Sequence, residues 1–94
     1  MTALFLFSID SAFEIAGRGC VIVPGIPESD LGSVRLGDAI RLVTPDGETF
    51  ETAIAGIESL NYGSKYPEKI SFPILLRGPI VKDQIPPGTL VYKA

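Results

Sequence analysis

Apolar residues in this chain fall in short runs divided by glycine, proline and polar clusters. Between Leu4 and Ile9 an extended backbone places Leu4, Leu6 and Ser8 on one side and Phe5, Phe7 and Ile9 on the other, with both sides apolar near the start. This predicts a first strand, with Phe5 and Phe7 in the core. Ala12 to Ile15 is a second extended piece. It ends at Gly17-Arg18-Gly19, where two glycines allow positive φ and a tight reversal. Cys20 to Val23 is β-branched and reads as a buried strand, which Pro24-Gly25-Ile26-Pro27 is expected to stop. After the Leu36-Gly37 turn, Asp38 to Thr44 puts Ile40 and Leu42 on one face and Arg41 on the other. Thr44-Pro-Asp-Gly-Glu48 is a hairpin signal, because proline presets φ and Asp-Gly supplies the positive-φ position. The returning strand, Thr49 to Ile57, sets Phe50, Thr52 and Ile54 against Glu51, Ala53 and Ala55. Asn61 to Lys69 reads as an exposed loop. Ile70 to Leu76 is an apolar run of strand length, and Pro73 within it implies an edge or a bulge. Thr89 to Lys93 is the last strand. No segment carries a sustained 3.6-residue stripe, and 10 glycines and 8 prolines break up any long helix. Short strands with closely spaced turn signals predict an antiparallel barrel.

Composition narrows the class. The 94 residues are expected to form one domain over 1–94, with no linker, repeat or low-complexity tract. At 46% hydrophobic and 20% charged, the chain is globular in type. A net charge of −3 argues against a general nucleic-acid binder, which needs a broad positive field. Cys20 is the single cysteine, so no internal disulfide forms; it reads as a small core residue, and the composition suits a reducing cytoplasm. The absence of histidine removes the usual general base, nucleophile activator and metal ligand. The apolar start lacks a basic flank and stops at Ser8 and Asp10, too short for a secretory or membrane segment. No cofactor is indicated.

Several pieces now stand in order: Gly17-Arg-Gly19, Gly37-Asp38, Gly56-Ile-Glu58, Leu75-Leu-Arg-Gly78, Lys82-Asp83 and Gly88-Thr89. Their sequence and intervals resemble the second, β-barrel domain of the translational GTPases, above all elongation factor Tu. The resemblance runs from about Phe7 to Val91. It implies an all-β fold: a small closed six-stranded antiparallel barrel with Greek-key elements, of the translation-protein β-barrel type. The chain has no room for a GTPase domain, so no GTP is expected. In that family the barrel helps hold the aminoacyl end of tRNA. The resemblance carries ligand-binding positions to Asp10, Phe13, Arg18, Glu58, Leu60 and Ser71. It also shows departures: Ser11 replaces an acidic residue, Leu60 an aromatic one and Ser71 an asparagine, while Val23-Pro24 replaces Thr-Gly. Framework positions match better than pocket positions.

Each group also has a plainer reading. A Gly-X-Gly turn mostly reverses the chain, and no helix follows Gly19 to cradle a phosphate. Asp10 and Glu58 converge on a ligand amine or ribose, or are two solvated carboxylates. Arg77 serves the framework or a surface ion pair. Tyr62 and Tyr66 beside Lys65 stack on a base, or are amphipathic surface. The expected role is a non-enzymatic binding module for a protein partner or a second copy. The alternative is a translation-associated protein that binds an RNA end or the ribosome, a role the net charge does not support. An enzyme lacks a nucleophile–base pair, leaving a carboxylate-only site on Asp10 and Glu58 as the one version open.

Overall fold

The computed structural model describes residues 4–58, 71–78, 80 and 82–94. The strands are β1 (Leu4–Ser8), β2 (Ser11–Ile15), β3 (Gly19–Pro27), β4 (Ala39–Val43), β5 (Thr49–Ile57), β6 (Ser71–Leu76) and β7 (Leu90–Lys93). They make one strongly curled sheet in the order β1-β7-β4-β5-β6-β3-β2. Every pairing among them is antiparallel. The two strands at the ends of this order, β1 and β2, are consecutive in the chain. Their junction is tied to both neighbours. Ile9 donates its N–H to Thr89 O and accepts from Gly88 N–H, each at 2.8 Å, and Asp10 N–H reaches Val23 O at 2.8 Å.

The concave side holds the core. Ile22, Ile40, Leu42, Ile54, Ile74 and Val91 are each 0% exposed, and each is worth about 1.5–3 kcal/mol of transfer free energy. Alternation places them there: Ile40 and Leu42 point inward while Arg41 points out and donates to Glu51 at 2.9 Å. The β4–β5 hairpin forms at the expected place. Thr44 N–H reaches Glu48 O at 2.8 Å, and Gly47 takes φ +92°.

The structure revises three details of the sequence reading. First, β3 does not stop at Pro24 but continues to Pro27. Between the pairs Ile22–Ile74 and Ile26–Phe72, the residues Val23, Pro24 and Gly25 stand opposite Pro73 alone. The excursion bends the strand without ending it. Pro73 thus lies at a bulge inside an interior strand, where its missing N–H costs no regular rung. Second, Phe5 is not a core residue. A shift in register between Phe5 and Phe7 turns Leu6 and Phe7 inward together, leaving Phe5 48% exposed. Phe5 instead packs edge-on against Tyr92, with ring centroids 5.5 Å apart. Third, two short 3₁₀ turns, Glu28–Ser33 and Lys82–Gln84, join strands. Both are too short to show a helical period. The loop expected over Asn61 to Lys69 lies outside the described residues, as does Ile70.

At Gly25, with φ +106°, an added Cβ lies 2.0 Å from Phe72 O. Gly47 has the same sign of φ and open space around it. Gly25→Ala is therefore expected to cost about 3 kcal/mol or more, from backbone overlap added to left-handed strain. Gly47→Ala is expected to cost about 1–2 kcal/mol from strain alone. Urea unfolding of the two variants measures the gap, and equal losses would contradict the close approach.

The turn into β4 is held by charge. Asp38 Oδ2 accepts the Arg35 N–H at 2.9 Å, and Lys93 Nζ lies 3.5 Å from the same carboxylate. The Arg35 N–H first, then Lys93, holds the Asp38 carboxyl below its ordinary value. A depressed folded-state pKa gives stability that is present above the unfolded value, about 3.9, and is lost as pH falls through the folded value. Asp38→Asn is expected to flatten that part of the acid limb in denaturant titrations run from pH 6 to pH 2.

Candidate functional site

Cys20 and Ile22 point into the core, so Val21 between them points to the outer face of β3. Register extends that face sideways: Phe13 pairs with Val21, Val21 with Leu75, and Leu75 with Gly56. Leu75 lies over two glycines on flanking strands. A Cβ at Gly56 lies 3.4 Å from it, and one at Gly19 lies 3.5 Å away. Glycine there lets the leucine sit low and backs Val21, which is 6% exposed although it is outside the core cluster. Phe13 and Ile15 alternate along β2 on this same side and stay open, at 53% and 38% exposure. The result is an apolar outer surface on β2, β3 and β6.

The Gly17-Arg18-Gly19 turn bounds this surface. Gly17 and Gly19 take φ +78° and +125°, and Arg18 N–H closes the turn on Ile15 O at 2.9 Å. The Arg18 guanidinium is hydrogen-bonded to the Glu58 carboxylate. Glu58 follows β5, and its N–H is anchored to Pro73 O at 2.8 Å. The pair neutralises both charges, and with Arg18 half exposed it adds little stability. A shallow trough of about 520 Å³ runs beside the turn, between Ile15, Arg18 and Ile80. Glu14 lines its other side and accepts the Lys82 N–H at 3.0 Å.

The six positions carried over from the family are therefore placed unequally. Arg18 and Glu58 meet, and Phe13 shares the outer face. Asp10 is exposed at the β1–β2 junction, with β3 and β6 between its strand and that of Glu58. No hydrogen bond or ion pair joins these two carboxylates. Ser71 opens β6 opposite Pro27, four residues from Leu75 and so roughly 13 Å along the strand. Leu60 lies outside the described residues, as do Tyr62, Lys65 and Tyr66. Arg77 serves the framework: its N–H bonds Ala53 O at 2.9 Å, and its carbonyl accepts the Thr52 hydroxyl. Ile15, Val21 and Leu75 carry the outer surface and were not singled out from the sequence. Their signal was apolar residues on both faces of Cys20–Val23 and Ile74–Leu76, which alternation alone does not explain.

Among the described residues no three Cys, Asp or Glu side chains gather as a metal-binding group, and no helix is long and apolar enough to cross a membrane. No protein-family model matches the chain.

Cys20 is 1% exposed, and its thiol pKa is pushed up, first by burial and then by the Glu14 charge opposite it. A raised pKa keeps it a thiol, which is the unreactive form. In a thiol-titration assay at pH 8, Cys20 is expected to be silent in the native protein and to react fully in urea. Rapid native labelling would show an open path to the sulfur.

Proposed function

We propose that this chain is a non-enzymatic binding module of the translation-protein β-barrel type, resembling the second domain of elongation factor Tu. It works by protein–protein contact, with another protein or with a second copy of itself. One observation carries the reading. Phe13 and Ile15 stand exposed side by side on β2, backed by Val21 and Leu75. An aromatic anchor on a rigid strand, rimmed by polar groups, has the composition of an interface hot spot.

The finer fold belongs to the same proposal. β1 and β2 count as one bent strand, hydrogen-bonded to β7 on one half and to β3 on the other. The ring then has six strands and closes. The stretch β4-β5-β6-β3, with β3 returning beside β6, follows Greek-key order. A single buried cysteine is consistent with a reducing cytoplasm. The alternative, an RNA-end or ribosome-binding role, draws on Arg18 in the exposed turn. The guanidinium there is already engaged by Glu58, which weighs against phosphate capture.

The test is affinity capture from native lysate with the tagged protein and with Phe13→Ser, each with and without RNase, followed by sedimentation of the isolated protein. The proposal expects a discrete protein or a self-associated species that survives RNase and falls at least about fivefold in Phe13→Ser. Capture of tRNA or ribosomal components that vanishes with RNase would favour the alternative. Capture that ignores Phe13→Ser would remove this surface from the proposal.

A further inference from the structure

A groove of about 650 Å³ lies where β4 ends and β5 and β7 begin, and among the described residues it shares no lining residue with the outer surface or its trough. Its floor is apolar. Phe50 sits on the inner face of β5, opposite Leu42 and against the core, and Pro45 and Pro86 line the groove with it. The walls are fixed. The Thr44 hydroxyl bonds the Asp46 carboxylate and accepts the Glu48 N–H at 2.9 Å. The Thr89 hydroxyl donates to Pro86 O at 2.6 Å, and a Cβ at Gly88 lies 3.4 Å from the Pro45 ring. The hairpin tip and the turn before β7 therefore abut before any ligand arrives. A built depression at the mouth of a curled sheet, of this volume, is a common form of binding site.

Charge selects the occupant. Asp46, Glu48 and Asp83 line the groove, and among the described residues no lysine or arginine does, Lys82 included. Among the described residues the Glu48 and Asp83 carboxylates have no ion-pair or hydrogen-bond partner. Elsewhere Glu51, Glu58 and Asp38 are each paired with a cation. Negative potential over an apolar floor repels a phosphate backbone. It attracts a cation on an aliphatic stem, which gains from Phe50 beneath it as well as from the carboxylates.

We propose that this groove binds a short protein segment presenting arginine or lysine next to apolar residues. The stem lies on Phe50, Pro45 and Pro86, and the cation is held by Glu48 and Asp83. This rests on the reading of the chain as a protein-binding module, and it names a second face and the chemistry of its partner.

The probe is a capped nonapeptide of alternating leucine and arginine, with arginine-to-glutamine and arginine-to-glutamate counterparts. Each is titrated into ¹⁵N-labelled protein at low salt. The expected result is amide shifts centred on Gly47, Phe50 and Gln84 with the arginine peptide, and none with the glutamate peptide. Glu48→Gln combined with Asp83→Asn alters two exposed side chains and is expected to weaken binding about three- to tenfold. Equal binding by this variant, shifts centred on β2 and β3, or no arginine-peptide binding at millimolar concentration would each overturn the proposal. If the titration fails while lysate capture still depends on Phe13, the groove falls and the binding-module reading stands. If the titration succeeds while nothing is captured through Phe13, the outer surface falls and the groove stands.

Discussion

At Gly25 the backbone of β3 comes so near the backbone of β6 at Phe72 that no side chain fits between them. Much else follows from that approach. β3 is a nine-residue strand that pairs with both β2 and β6, and its excursion opposite Pro73 is where it bends. A second irregularity puts Ala55 of β5 out of step with β6, and a third sits between Phe5 and Phe7 on β1. Each extra residue adds local twist and curvature. A flat antiparallel sheet of these strands would expose one face of every isoleucine it carries. The curl gathers Ile22, Ile40, Ile54, Ile74 and Val91 onto one enclosed side, so a small chain can assemble a dry core.

The same curl decides what remains outside. Once Cys20 and Ile22 are taken by the core, Val21 must turn outward, and its cross-strand partners Phe13 and Leu75 turn with it. Glycines at 19 and 56 lower Leu75 onto the sheet and leave Phe13 as the raised feature. At the strand ends, curvature opens a different concavity, where Phe50 packs against the core and also forms a floor. Charge is distributed to match. Arg18, Arg41 and Lys93 are engaged by carboxylates around the sheet, whereas Glu48 and Asp83 in the groove have no counter-ion among the described residues.

Much of the architecture was legible from alternation and turn chemistry. Each of the seven extended pieces corresponds to a strand, and Thr44–Glu48 is the hairpin its proline and Asp-Gly announce. The faces of β4 and β5 came out as written, because a period of two needs no tertiary information. Bulges were the failure. Pro24 and Gly25 look like a stop, yet the strand passes through them because β6 offers Pro73, which has no N–H to pair. Phe5 looks like core, yet a one-residue shift against β7 turns it out. Of the candidate positions, the resemblance named Arg18 and Glu58 separately, and only the structure brings the two together as a pair. Asp10 and Ser71 were placed by the same resemblance and stand apart from them.

The sequence by itself determined strand identity, turn positions, the lack of histidine chemistry and the inertness expected of a lone cysteine between apolar neighbours. These depend on local φ preference, on period and on composition, all of which are properties of the chain taken a few residues at a time. Tertiary structure alone decided strand order, the path of β3 through Gly25, the outward turn of Phe13 and the meeting of Thr44–Phe50 with Asp83–Pro86. Those depend on cross-strand register, where a shift of one residue exchanges inside for outside, and nothing local in the sequence records which register wins.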